Sequence, residues 1–213
     1  MTISLQNVVP QFLEKEKIAR SQIWGHDHVF NKGERIQIVA PSGSGKTSLV
    51  HFLYGLRKEY SGEIKFNNEA LKSFSAPKLA DVRADKISII FQDLRLFKDF
   101  TAERNIDVKR SLSPFHSSSK INAMAERLGI ANKLNQSAGI CSYGEQQRIA
   151  IIRALQQPFD FIIMDEPFSH LDERNRQIAM DLIEEEATAR QAAIILADLK
   201  PIDFFSAQHI LHL

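Results

Sequence analysis

The sequence of 213 residues predicts an α/β fold: a mostly parallel sheet covered on both faces by helices and interrupted by an all-helical insert. Three observations carry this reading. Short runs rich in Ile, Val and Phe alternate with helix-like stretches, as parallel sheets require. The strand-like segment Glu34 to Val39 leads through a Gly/Ser-rich turn into the helix-like Leu49 to Leu53. From about Thr101 to Gln157 the periodicity is helical, with no convincing strand.

In chain order, Ile3 to Val8 predicts a strand and Ile23 to Phe30 a second, weaker one. Asn31-Lys32-Gly33 turns the chain into the strand that ends at Val39. After the first helix, Gly62 to Phe66 alternates as a half-exposed strand, and Asn67-Asn68 suits a tight turn. Lys86 to Phe91 predicts a buried strand ending at Gln92. Within the helical stretch, Ile121, Met124, Ala125 and Leu128 mark one apolar face, while Ser111 to Ser119, with Pro114, predicts a loop. Phe159 to Met164 returns as a continuous apolar strand. A helix over Glu173 to Arg190, a strand over Ala193 to Ala197 and a short strand over His209 to Leu213 complete the chain.

Composition narrows the function. Lys plus Arg number 27 against 26 Asp plus Glu, so no overall field recruits nucleic acid or anionic lipid, and no nucleic-acid partner is expected. The single cysteine, Cys141, excludes an internal disulfide and suits a reducing compartment. No apolar run approaches the roughly 20 residues that span a bilayer, and no signal-peptide core is evident at the N-terminus. A soluble, cytoplasmic protein is expected, with any membrane role supplied by a partner.

The run Ala40-Pro41-Ser42-Gly43-Ser44-Gly45-Lys46-Thr47-Ser48 makes a socket for nucleotide phosphates. Its glycines let the backbone curl with N–H groups inward, beside the positive end of a helix. Lys46 is placed to reach the β- and γ-phosphates, and the Thr47 hydroxyl to ligate Mg²⁺. Ala40 stands where the strict pattern has Gly, which a strand end tolerates. Phe159 to Pro167 then gives an apolar strand ending in two carboxylates. At the C-terminal edge of a parallel sheet, Asp165 suits Mg²⁺ through a bound water, and Glu166 suits polarisation of the attacking water. ATP and Mg²⁺ are the expected cofactors.

With these motifs in place, nearly the whole chain resembles the ATP-binding cassette (ABC) ATPases. Phe91-Gln92-Asp93 resembles the Q-loop, which implies that Gln92 bridges Mg²⁺, attacking water and the helical subdomain. Cys141-Ser142-Tyr143-Gly144-Glu145-Gln146-Gln147-Arg148 resembles the signature motif, and Ser169-His170-Leu171-Asp172 the D-loop. Phe12 falls where the family places an aromatic residue under adenine. The wording from Phe91 to Ile106 is similar to the lipoprotein-release and macrolide-exporter group. The resemblance implies a P-loop NTPase core over residues 1–92 and 158–213, mostly parallel sheet with flanking helices and a small antiparallel β part. It implies a helical subdomain over 93–157. It also implies a head-to-tail dimer, homomeric or heteromeric. In that dimer Ser142, Gly144 and Glu145 at the start of the helix Glu145 to Leu155, with Asp172, complete the ATP site of the other subunit. An integral membrane transporter subunit is the further partner, and the inner membrane's cytoplasmic face the expected location.

Several positions depart from the family pattern or admit two readings. Tyr143 replaces the first signature glycine, and its ring either approaches the phosphate region or points to solvent. Asp198 stands where the family has a switch histidine, so an ionised carboxylate that can only accept replaces a donor. At ~5 Å and an effective dielectric near 20, it repels phosphate by ~3 kcal/mol, about a hundredfold in rate. Lys200 or protonation of Asp198 could compensate; otherwise the chain is an ATP-gated dimerisation switch with little hydrolysis. Leu96, Phe97 and Phe100 either grip a membrane subunit or fill the subdomain core. Cys141 reads as a small buried hydrophobe rather than a reactive thiol.

Overall fold

A computed structural model describes all 213 residues and places the elements around two sheets. The larger is wholly parallel: Ile87–Ile90 (β6), Phe161–Asp165 (β7), Ala193–Asp198 (β8), Arg35–Val39 (β3) and His209–His212 (β9) lie side by side in that order. The smaller is antiparallel, ordered His28–Asn31 (β2), Thr2–Pro10 (β1), Tyr60–Phe66 (β4) and Glu69–Ala70 (β5).

The strand sequences explain why the parallel sheet is covered on both faces. Successive side chains of a strand point to opposite faces. Ile162, Met164, Ile194 and Leu196 accordingly join a core formed with Lys-poor faces of Ser118–Arg127 (α5), Tyr143–Ala154 (α6) and Glu173–Ala189 (α7). Their neighbours Phe161, Ile163, Ala193, Ile195 and Ala197 join a second core with the helix Lys46–Leu53 (α2) and the antiparallel sheet. Each buried Ile or Phe there contributes about 1.5–3 kcal/mol, so neither face of β7 or β8 accepts a polar side chain without a partner.

No strand lies between Ile90 and Phe161. Ala102–Arg110 (α4), α5 and α6 fill that stretch, and the loop between α4 and α5 runs through Pro114. Buried Asn105 shapes the turn before α4. It accepts from the Phe97 amide at 2.8 Å and donates to the carbonyls of Phe97 (2.9 Å), Phe100 (3.3 Å) and Thr101 (3.0 Å).

Two expectations are corrected. The weak strand predicted over Ile23 to Phe30 shrinks to β2. The Ser21 hydroxyl accepts from the amides of Ile23 (3.0 Å) and Trp24 (2.8 Å), and Gly25 turns left-handed (φ 77°), so these apolar residues are buried in a turn. Two helices were not expected: Lys15–Arg20 (α1) and Ala76–Asp85 (α3) bury no residue, so neither shows an apolar stripe. No helix is long and apolar enough to cross a membrane.

Candidate functional site

The parallel order delivers four segments to one edge of the sheet. The phosphate loop follows β3, Gln92 follows β6, Glu166 follows β7, and Asp198 ends β8. The C-terminal edge of such a sheet is where ligands bind.

The phosphate loop rests on Trp24, whose Nε1 donates to the Ser44 carbonyl at 3.0 Å. Gly43 and Gly45 take left-handed φ values of 77° and 99°, and a Cβ on Gly45 would lie 3.1 Å from the indole. Only glycine meets both demands. Ser44 Oγ is buried without a hydrogen-bond partner, a polar atom that a phosphate oxygen would satisfy. A cleft of about 410 Å³ opens above, lined by Phe12, Ser42, Gly43, Gly45, Lys46, Thr47, Ser48, Gln92 and Glu166. Phe12 is 51% exposed at its rim, with the Arg57 guanidinium 5.0 Å from its ring. It presents a free face to a planar group.

The charged centre is tightly bonded. Lys46 Nζ lies 2.5 Å from Asp165 Oδ1 and 2.6 Å from Glu166 Oε1. Burial opposes its charge, but these two carboxylates outweigh burial and raise its pKa above 10.5. Thr47 Oγ1 donates to Asp165 Oδ2 at 2.8 Å and stands 3.5 Å from Gln92 Oε1; Gln92 Nε2 donates to Glu166 Oε1 at 3.4 Å. Hydroxyl, carboxylate and amide oxygens at this spacing are the hard donors that Mg²⁺ takes, alongside phosphate. No group of three or more His, Cys, Asp or Glu is clustered to hold a metal without nucleotide.

Glu166 itself is held in a strained left-handed conformation (φ 47°). Its amide donates to Ala197 O at 2.9 Å and its carbonyl accepts from Gln147 Nε2 at 3.3 Å. Asp198 is anchored beside the phosphate loop, where its carbonyl accepts from the Ala40 amide at 2.9 Å. Burial pushes the Asp198 carboxyl above 3.8; the Leu199 amide, 2.7 Å from Oδ1, partly offsets this, and Glu166 adds to the rise. Lys200 makes no ion pair with it and contributes only its backbone amide. Of the two compensations expected, a Lys200 side-chain ion pair is therefore not made.

The α6 end reads differently from the sequence. The helix begins at Tyr143 rather than Glu145, capped by Ser142, whose Oγ accepts from the Glu145 amide at 3.3 Å. Glu145 Oε2 returns the bond to the Ser142 amide at 2.7 Å, a reciprocal cap that lowers its pKa. The Ser142 O–H therefore remains a donor. Gly144 is required by packing: a Cβ there would sit 2.9 Å from His170 O. Asp172 caps α7, accepting from the amide and side chain of Asn175 at 2.8 Å each.

Tyr143, 42% exposed, does not simply point to solvent. Its hydroxyl donates to Gln92 O at 3.2 Å and its ring lies 4.1 Å from the His170 imidazole. Cys141 is buried, with its thiol pushed up by burial, as a small hydrophobe should be. Leu96 packs on the core, whereas Phe97 is 51% exposed and stacks on Phe100 at 5.1 Å.

Sequence reasoning missed the roles of Trp24, Gln147 and Arg153. The Arg153 guanidinium, buried and lowered to about 10 by that burial, donates to Leu94 O (2.5 Å) and Arg95 O (2.7 Å). Both carbonyls belong to left-handed residues, φ 58° and 48°, so Arg153 ties α6 to the turn after Gln92. The basic residue is visible in the sequence, but its distant acceptors are not.

The ABC transporter family model matches residues 26–169. A lipoprotein-releasing system ATP-binding protein LolD from Buchnera aphidicola is 39% identical over 71% of this chain and 68% of its own length. The macrolide export ATP-binding/permease protein MacB from Nitrosomonas europaea is 32% identical over 91% of this chain, which spans only 30% of that longer protein. A dimeric, post-hydrolysis structure of the ATP-binding cassette MJ0796 bound to ADP and Pi superposes with a TM-score of 0.82 at 25% identity, covering 99% of this chain and 94% of that one. The chain belongs to the ABC transporter ATPase family, in the group of LolD and MacB.

Proposed function

We propose that this chain binds and hydrolyses MgATP as the nucleotide-binding subunit of a transporter complex. It works as a head-to-tail dimer against a membrane partner on the cytoplasmic face of the inner membrane. The observation that carries this reading is the convergence of Lys46, Thr47, Gln92, Asp165 and Glu166 beneath a glycine-shaped phosphate loop.

The residues assign themselves by chemistry. Amides of Ser42 to Ser48 and the N-terminus of α2 cradle phosphate oxygens, Lys46 neutralises their charge, and Phe12 stacks on the base. Thr47, Asp165 and Gln92 would hold Mg²⁺, whose chemistry there is to neutralise charge on the β- and γ-phosphates. Phosphate oxygens drawing Lys46 off Glu166 Oε1 free that carboxylate to take a proton from water, with Gln92 orienting the same oxygen. Ser142, Gly144 and Glu145 at the head of α6, with Asp172, complete the other subunit's site. Residues 93–157 move as a helical subdomain against the core of 1–92 and 158–213, and exposed Phe97 meets the membrane partner.

A second reading, an ATP-gated dimerisation switch, is favoured by Asp198 and by the bond that ties Tyr143 to its own Gln92. Sedimentation of Glu166→Gln tests the dimer common to both: MgATP should shift it from monomer to dimer. A monomer at saturating MgATP contradicts both.

A further inference from the structure

The loop from Ser169 to Asp172 carries an imidazole whose Nδ1 is engaged and whose Nε2 is free. Ser169 Oγ accepts from Gln147 Nε2 at 3.3 Å, so its own O–H is available to His170 Nδ1, 2.9 Å away. With Ser169 donating to Nδ1, the neutral ring carries its proton on Nε2, which has no partner within the chain, and His170 is exposed. The ring is not free to wander. Tyr143, the first residue of α6, packs on it at 4.1 Å with the planes tilted by 48°. Gln147 Oε1 accepts the His170 amide at 3.1 Å, and His170 O abuts Gly144. An oriented ring nitrogen, Nε2, thus stands beside the first turn of α6, the helix end that would face a γ-phosphate. The site around the chain's own phosphate loop, meanwhile, carries Asp198, which donates nothing when ionised.

We propose that His170 of each copy donates its Nε2–H to the γ-phosphate held by the second copy, supplying the hydrogen bond that Asp198 cannot make. The role rests on the head-to-tail dimer proposed above. The two unusual residues then act as one unit: Tyr143 orients the ring, and His170 supplies the donor. Both are contributed by the subunit opposite the nucleotide.

The test uses the Glu166→Gln chain, in which MgATP is retained, and compares the dimer dissociation constants of three added variants. A hydrogen bond to a charged group is worth a factor of ten or more. His170→Ala should therefore weaken the MgATP dimer at least tenfold. His170→Phe, which keeps an aromatic face for Tyr143 without the donor, should fail equally. His170→Gln, which restores an N–H, should recover most of the loss. Monomer affinity for MgATP, measured by calorimetry below the dimer midpoint, should be unchanged in all three. A parental dimer in His170→Ala or His170→Phe overturns the donor role, and the latter result would assign the effect to the stack. A matching loss in monomer affinity overturns action across the interface. If the Glu166→Gln parent itself forms no MgATP dimer, the shared site is rejected and this role for His170 with it.

Discussion

Replacing Asp198 probes the feature that most separates this site from its family's pattern. Asp198 sits at the end of β8 beside the phosphate loop, close enough to Glu166 for that carboxylate to raise its pKa, with burial the larger cause. When ionised at ~5 Å from a phosphate oxygen in an effective dielectric near 20, it repels by ~3 kcal/mol, about a hundredfold in rate. When protonated it repels nothing. The sign follows from the raised pKa: turnover of the wild-type protein should fall as pH rises through the folded-state value, while Asp198→Asn should stay flat. The ratio of kcat, Asn over wild type, should approach one below the folded-state pKa of Asp198 and climb as far as about a hundred above it. Asp198→His adds a donor as well, so the order at saturating MgATP should be His above Asn above wild type. The assay is steady-state phosphate release across pH. A ratio of one throughout, or Asn below wild type, would refute the view that this carboxylate faces the γ-phosphate.

Three other perturbations follow from particular contacts. Lys46→Ala removes the one cation bonded to both Asp165 and Glu166, so calorimetry should detect no MgATP binding; unchanged affinity would sink the phosphate-loop assignment. Phe97→Ser should leave MgATP affinity intact and lower Tm little, because the ring is half exposed, yet abolish co-purification with a membrane subunit; a large Tm drop would return Phe97 to the core. Glu186 is buried and, against that burial, held at about 2 by His116, Arg190 and Lys120. Its folded pKa lies below the usual 4.5, so its stabilisation is present above that value and lost as pH falls toward about 2. Burial lowers Arg190 despite this partner, which offsets part of the gain. Glu186→Gln should therefore cost about 2 kcal/mol at neutral pH in urea unfolding and progressively less in acid; a cost that grows on acidification would contradict the assignment.

The phosphate loop, the carboxylates after β7 and the alternation of strands and helices were legible because each is encoded within a few neighbouring residues. Ile23 and Trp24 were misread because a strand and a buried turn present the same apolar pair. The Ser21 hydroxyl decides between them, through bonds to two amides. Helix α3 escaped notice because it lies half-exposed and buries no side chain, so no periodic stripe marks it. The site's finer features are non-local. Tyr143 meets His170 and Gln92 O only after the fold brings β6, α6 and the loop after β7 together. The state of Asp198 likewise depends on burial between strands that are far apart in sequence. No spacing rule reports either.

The most direct test of MgATP hydrolysis at this site is phosphate release by wild type and Glu166→Gln at saturating MgATP, with nucleotide affinity measured alongside. Wild type should turn over, and Glu166→Gln should bind ATP equally while losing at least ~100-fold in rate, since the water-activating carboxylate is gone. Equal, substantial rates would mean that Glu166 is not the water-activating group, and no release from either would leave a switch that binds without hydrolysing.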